Sequence, residues 1–426
     1  MELDHDTVSG SAFLVNPPTW FPRGARALYT NFHVVEANPT KEVLLFFALL
    51  GKTPIRARIV RVYPQSDLAI LEVSRTHAAP LRNLPNLAMY DGAPPKFTAA
   101  YALGFPLGCD DVQISEGVVS GWEDSHYHLN ISINSGNSGG PVLVHTSKGE
   151  RVIAVSVATL CDAEAIALGI PSLFVDDILH IPQFSPHTEY PELCLESTTM
   201  ARVRGPIVMN VHPRDSLHAM GFRRGDIITH LGDARVDAYG MLTVPWMDIP
   251  VHWTEANLMR RCLARGGTAR VSRIGDRAAG PSPILLTLAW DPIGDCIPTV
   301  RTVYPFYEAI PHLRIGALIL VPFSLNLIAV ASTASFTREL ALAAIEPTER
   351  HTSHTVVSHI DTFSDLYIGD RVVLSAMVGI QDMAWEAAFT KEEAVIQIER
   401  SRVQLIEHEK TGARHAEALG CITQFV

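Results

Sequence analysis

The sequence has no C-x-x-C pair, no long run of basic residues and no unbroken apolar stretch of membrane length. Its six cysteines, Cys109, Cys161, Cys194, Cys262, Cys296 and Cys421, are far apart. That excludes a dense disulfide framework or a cysteine zinc site and leaves reduced, mostly buried thiols. The histidine pairs His126/His128 and His351/His354 have no cysteine or carboxylate cluster beside them, so they read as exposed loop histidines, and neither a metal nor a cofactor is expected. With 45 acidic against 34 basic residues and a net charge of -11, the chain is a poor match for nucleic acid. The first residues, Met1 to Thr7, lack the basic and apolar regions of a secretory signal, which points to a cytoplasmic or nuclear protein. The longest apolar segment, Ile315 to Thr333, is interrupted by Pro322, Ser324 and Asn326. Two buried strands joined by a turn are expected there, with no membrane span.

What is present is ample apolar material. Hydrophobic residues make up 47% of the 426 and charged residues 19%, as in folded globular chains. At about 150 residues per domain, roughly three domains are expected. Short strand-like runs begin at Ser11 to Val15 and Ala27 to Val35 and continue through Glu42 to Leu50, Ile55 to Val62 and Asp67 to Val73. After a connector rich in proline and asparagine, Ala78 to Lys96, a second series follows at Thr98 to Leu103, Gly117 to Trp122, Leu129 to Ile133, Pro141 to Leu143, Val152 to Ala158 and Ala167 to Ile170. Two sets of about six short strands are the pattern of two packed β-barrels.

Within the second series, Asn134-Ser135-Gly136-Asn137-Ser138-Gly139-Gly140-Pro141 sits between an alternating run and an apolar one. It reads as strand, tight turn, strand. Glycine there lets backbone N–H groups approach a substrate, and an exposed serine among such donors has what a nucleophile needs. A Gly-rich hairpin would look the same. His33 ends one strand-like run and Asp67 opens another; a base with a near-neutral pKa and a carboxylate to orient it complete such a site, although each residue alone also fits a structural role.

Six segments carry a resemblance: Gly10-Ser11-Ala12-Phe13, Thr30-Asn31-Phe32-His33-Val34-Val35, Ser66-Asp67-Leu68-Ala69-Ile70-Leu71, Gly104-Phe105-Pro106-Leu107-Gly108, Glu116-Gly117-Val118-Val119-Ser120 and Gly136-Asn137-Ser138-Gly139-Gly140-Pro141. Together they resemble the HtrA/Deg family of chymotrypsin-fold serine proteases over about residues 9 to 182. The resemblance implies His33 as general base, Asp67 as its orienter and Ser138 as nucleophile, with the N–H groups of Gly136 and Ser138 as oxyanion hole. It places Ser132, Ser156, Val157 and Ala158 among the substrate contacts. The trypsin position for an aspartate, six residues before the nucleophile, holds Ser132, so a small or apolar residue before the cut is expected. Phe32 stands where the family usually has alanine or asparagine, so the packing behind the imidazole is expected to differ.

Further on, Gly205-Pro206-Ile207-Val208, His218 to Ile228 and Thr254 to Trp290 are similar in order to a PDZ domain, whose peptide-binding loop would include Gly205, Pro206, Ile207 and Val208. Gly316 to Ser324, Thr355 to Ile360, Tyr367 to Val373 and Val395 to Ile398 resemble the degenerate second PDZ-like domain of plant-type Deg proteases, with short helices expected at Trp385 to Phe389 and His408 to Leu419. The expected layout is mainly β: a chymotrypsin-like double β-barrel at 1–182 (barrels at about 1–88 and 97–182), a PDZ-like α+β domain at 192–291 and a second at 297–426. The resemblance implies an ATP-independent serine endopeptidase cleaving unfolded or damaged polypeptides, homo-oligomeric and regulated by its PDZ-like domains. The alternative is an inactive or weakly active scaffold of the same fold.

Overall fold

The computed structural model describes residues 9–51, 53–123, 125–159, 167–180, 195–198, 205–213, 216–247, 249–273, 283–288, 300–315, 318–330, 338–360, 371–374 and 396–399. The chain forms two compact units, one of residues 1–184, 197–208 and 224–292, the other of 185–196, 209–223 and 293–426.

The first unit opens with an antiparallel sheet of β1 (Phe13–Val15), β2 (Arg26–Thr30), β3 (Glu42–Leu45), β4 (Ile55–Tyr63) and β5 (Leu68–Val73), in the order β1-β2-β5-β4-β3. Strand β4 shows why these residues form a sheet: Ile55, Ala57 and Ile59 face inward while Arg56 and Arg58 face out, the two-residue period of a strand with one wet face. Strand β5 is buried along its whole length, and its one charged residue, Glu72, accepts from Arg58 Nη2 at 2.8 Å. Among the described residues this five-stranded sheet stays open, where a barrel was expected. The second series does close: β6 (Ala99–Gly104), β7 (Gln113–Glu123), β8 (His126–Asn130), β9 (Pro141–Thr146), β10 (Gly149–Thr159) and β11 (Ala167–Pro171) form a barrel in the order β10-β11-β8-β7-β6-β9.

Alanines at 100, 102, 154 and 167 let the barrel strands pack around Leu129, Ile131, Val142 and Ile153 in its core. A second cluster spans both sheets, joining Phe13, Tyr29, Tyr63 and Ile70 to Leu143, Val152, Val155 and Ile178. The connector runs between the two, with Leu87 N donating to Leu14 O at 2.9 Å and Tyr90 N to Val152 O at 2.8 Å.

One strand-like run ends earlier than its composition suggests. Expected as a strand through Val35, it stops at Thr30 and turns into a short helix, α1 (Phe32–Val35). The cause is distant in sequence: Phe32 N and Asn31 Nδ2 both donate to Asp67 O, at 3.0 and 3.1 Å, and pull the chain out of the ladder.

After α2 (Ser172–His180), a third sheet runs β12 (Leu195–Thr198), β13 (Ile207–Val211), β14 (Asp226–Leu231), β18 (Thr268–Arg273), β19 (Ile284–Thr287), with β15 (Ala234–Arg235) beside β14. The small pair β16 (Met241–Leu242) and β17 (Val251–His252) and the helix α4 (Ala256–Ala264) accompany it. Glu255 caps α4 by accepting from Leu258 N at 2.9 Å. Asp177 of α2, 1% exposed, accepts from Arg265 Nε at 2.5 Å and Arg261 Nη1 at 3.2 Å, while Phe174 meets Trp246 edge to face at 5.2 Å.

In the second unit, β20 (Leu313–Ile315), β21 (Leu318–Pro322), β22 (Thr355–Ile360), β23 (Arg371–Leu374) and β24 (Ile396–Glu399) form a sheet in chain order. This unit also carries the short helix α3 (Ser216–Ala219). The segment expected as two strands and a turn is instead strand β21 followed by helix α5 (Asn326–Val330), because Asn326 bridges Val303 N and O with its side-chain amide. Phe323, Leu340, Ala343, Val300 and Val356 form the core here, Leu340 and Ala343 from helix α6 (Arg338–Ile345). His351 and His354, expected as exposed loop residues, are buried, and the His351 ring stacks on His212 at 4.2 Å between centroids. His126 and His128 lie in β8. The helices expected at 385–389 and 408–419 fall outside the described residues. So do Cys161, Cys194, Cys296 and Cys421. Of the two described cysteines, Cys109 is exposed, against expectation, and burial pushes the Cys262 thiol up to about 11.

Asp226 provides a test of the third sheet. It is 0% exposed and takes Arg273 Nε at 2.6 Å and Nη2 at 3.0 Å. Arg273→Met leaves this carboxylate without its bidentate partner in a dry site and is expected to cost roughly 3–5 kcal/mol. Chemical denaturation of the full chain measures it; a change below about 1 kcal/mol contradicts the expectation.

Candidate active site

The site is built where three loops meet the two sheets of the first unit. Asp67 ends a short turn at Pro64–Ser66 with φ +48°, a left-handed conformation that a non-glycine residue adopts only under constraint. The constraints are explicit: Asp67 N donates to Pro64 O at 3.0 Å, and Asp67 O receives Asn31 and Phe32. Its carboxylate faces α1, where Oδ1 accepts from His33 N at 2.9 Å and Oδ2 lies 2.8 Å from His33 Nδ1. With Nδ1 donating, the proton-free nitrogen of neutral His33 is Nε2. Hydrogen bonding to Asp67 raises the His33 pKa above its ordinary value, against a smaller opposing effect of burial. Burial, and then the charge of Asp67, raise that of neighbouring Glu36. Phe32, 3% exposed, points into the core beneath α1. It supports the short helix that carries the imidazole.

The glycine turn follows Ile133. Gly136 and Gly139 have φ +97° and +86°. A Cβ on Gly136 would strike Phe105 O, and one on Gly139 would strike Ser11 O and Thr30 Oγ1. Glycine is therefore required at both by conformation and by crowding. Asn137 N donates to Asn134 O at 3.0 Å, Gly139 N to Ser156 O at 2.8 Å and Gly140 N to Asn137 O at 2.9 Å. The N–H groups of Gly136 and Ser138 donate to no group among the described residues. Two uncommitted donors flank a half-buried serine, the arrangement that binds a developing oxyanion.

Ser138 Oγ itself donates to Val157 O at 2.5 Å, and among the described residues no hydrogen bond joins it to His33. That carbonyl is available because Val157 is the extra residue of a β-bulge: Ser156 faces Gly169 and Ala158 faces Leu168, with Val157 unpaired between them. His33 and Asp67 are thus brought together, and Ser138 is held by β10.

The expected substrate contacts divide. Ser132 is exposed between the buried Ile131 and Ile133. Ser156, expected to pair with substrate, is buried, and its N and O are both engaged with the glycine turn, to Gly140 O and from Gly139 N at 2.8 Å each. Val157 is half-buried beside Ser138, and Ala158 pairs with Leu168 of β11. Of the loop Cys161 to Leu168, also expected to form a wall of the substrate pocket, residues 161–166 lie outside the described residues. Gly205 and Pro206 lead into the third sheet, to which Ile207 and Val208 belong: Pro206 O accepts from Ile228 N at 2.9 Å, Ile207 faces Ile227, and Val208 O accepts from Gly225 N at 2.8 Å. One residue missed from sequence is Ser11. It is 4% exposed and hydrogen-bonds both ends of the Gly136–Ser138 turn.

Residues 10–155 match the family described as trypsin-like peptidase domain. The chain is similar to the chloroplastic protease Do-like 2 of Arabidopsis thaliana, 27% identical over 64% of this chain and 45% of the relative. It is also similar to the serine protease Do-like HtrA of Lactococcus lactis, 24% identical over 50% of this chain and 59% of the relative. The chain therefore spans about half the length of these curated relatives. A solved structure described as HtrA-type protease AlgW with decapeptide aligns at 19% identity and a TM-score of 0.45, over 65% of this chain and 81% of that one. The family match and the two curated relatives make the chain similar to serine proteases of the HtrA/Deg type. With an organellar protein among the relatives, the expected cytoplasmic or nuclear location is not supported. No helix among the described residues is long and apolar enough to cross a membrane.

The Asp67 contact sets a pH signature. Its bond to protonated His33 contributes stability below the ordinary histidine value, and that contribution is lost as pH rises through the raised pKa. As a general base His33 would act in its neutral form, so on that reading the acid limb of a rate profile should rise above the ordinary histidine pKa. Asp67→Asn should move that limb to lower pH and reduce kcat by roughly 10³–10⁴-fold. A pH–rate profile of both chains checks it; an unmoved limb contradicts the role of Asp67.

Proposed function

We propose that this chain, an HtrA/Deg-type relative through its trypsin-like peptidase domain, is a serine endopeptidase acting on unfolded or damaged polypeptides without ATP. The observation that carries the reading is the pairing of a carboxylate-oriented histidine with a serine whose turn presents two uncommitted backbone donors. In the cycle this supports, His33 Nε2 takes the Ser138 proton as Oγ attacks the scissile carbonyl carbon. Gly136 N and Ser138 N hold the oxyanion, and the imidazolium, steadied by Asp67, returns the proton to the leaving amine to give an acyl-enzyme. Water, deprotonated by His33, then releases the acid and regenerates Ser138. Before attack, Ser138 Oγ must exchange its bond to Val157 O for one to His33. Val157 and Ala158 serve as substrate-strand contacts, and a small or apolar residue precedes the cut.

The remaining parts of the reading are PDZ-like domains at 192–291 and 297–426 that regulate cleavage, and homo-oligomeric assembly. The third sheet with α4, and the second unit's sheet with its helices, support the PDZ-like assignment. Exposed Leu44, Phe46 and Leu49 near the edge strand β3 offer an apolar surface for self-association. One observation favours the alternative of an inactive scaffold: the nucleophile hydroxyl is bound to Val157 O.

A fluorophosphonate probe separates the two. Covalent labelling of the full chain that disappears in Ser138→Ala is expected. No labelling, or equal labelling of the variant, favours the scaffold.

A further inference from the structure

We infer that Ser11 is a positioning residue for the oxyanion-binding turn and keys that turn to the end of β2, which leads into the helix carrying the base; the inference rests on the protease reading above. Gly136 and Ser138, whose N–H groups donate to no group among the described residues, have their carbonyl oxygens held by this one residue. Ser11 Oγ donates to Gly136 O at 2.7 Å, and Ser11 N donates to Ser138 O at 2.8 Å.

The direction of the hydroxyl is determined, because Phe105 N donates to the same Oγ at 3.1 Å and occupies a lone pair. The carbonyl of Ser11 accepts from Thr30 Oγ1 at 2.8 Å. Thr30 is the last residue of β2, followed directly by Asn31 and the helix that presents His33. Every polar group of Ser11 is therefore used, and the residue is 4% exposed. It cannot serve as a second nucleophile.

The reason a clamp is needed lies in the turn itself. A peptide unit is a rigid plane, so an N–H direction is set by the carbonyl on the same plane. The planes bearing the two donors are held at Ser135 O by Leu107 N, 2.7 Å, and at Asn137 O by Gly140 N, 2.9 Å. Gly136 joins the first of these planes to the next, and glycine resists rotation least of all residues. Holding Gly136 O and Ser138 O fixes the planes on the other side of each donor residue. Ser11 thus supplies from the segment leading into β1 a constraint that the glycine turn lacks in its own sequence.

The test uses the full chain with Ser11→Ala and Ser11→Thr, with thermal unfolding as a check on folding. Read first is fluorophosphonate labelling of the unaltered chain: if it fails, the protease reading fails with it. If the unaltered chain is labelled, Ser11→Ala is expected to lower kcat on a peptide substrate by roughly 10- to 100-fold with KM within about 2-fold, less than the loss of a direct oxyanion donor. The affinity of a peptide aldehyde, which forms a tetrahedral adduct on Ser138, should fall by a similar factor, and Ser11→Thr should recover most of both. Unchanged labelling and aldehyde affinity in a folded Ser11→Ala chain overturn the inference, as does a Thr variant no better than Ala. If Ser11→Ala does not fold, Thr30→Val frees the Ser11 carbonyl from β2 while leaving both bonds to the turn. Slower labelling of that variant supports the inference and an unchanged rate overturns it.

Discussion

The left-handed backbone of Asp67 is the constraint on which the site depends. A non-glycine residue at φ +48° gives up on the order of 1 kcal/mol and persists only where its surroundings over-determine it. Here the surroundings are Asn31, Phe32 and His33, which bind its carbonyl and both carboxylate oxygens. The same bonds end β2 and start α1. Orientation of the imidazole, termination of the strand and strain in the turn are consequences of one set of contacts.

The second constraint is steric and belongs to the glycine turn. Gly136, Gly139 and Gly140 pass so close to Phe105 O, Ser11 O and Leu103 O that no side chain fits. The turn is therefore moulded by backbone from β1's leading segment, the end of β2 and the segment after β6. Barrel and open sheet are joined at the chemistry by main chain, and below it by the apolar cluster from Phe13 to Ile178.

Much of this was legible in sequence because it is local. The strand-like run that became β4, the two series of short strands and the place of His33, of Asp67 and of the glycine turn at strand margins each show in a few neighbouring residues. What escaped notice depends on distant partners. The run from Ala27 to Val35 is apolar enough for one strand, and only the Asp67 bonds break it at Thr30. Ser11 is a small hydroxyl between Gly10 and Ala12; its bond to Gly136 spans 125 positions. A hydroxyl beside a glycine just before a buried strand was the available signal. Ser156 looked ready for substrate because a strand's free edge cannot be read from composition, and the glycine turn occupies it. His351 and His354 read as loop histidines, yet tertiary packing buries them.

The bulge at Val157 has a consequence for occupancy. One carbonyl, left over where β10 and β11 fall out of register, is the acceptor for the Ser138 hydroxyl. A peptide pairing with β10 at that residue approaches an acceptor already in use. On the proposed reading, arrival of the ligand and release of the hydroxyl would be two halves of one exchange, linking Ser138 and the incoming strand by competition for a single oxygen atom.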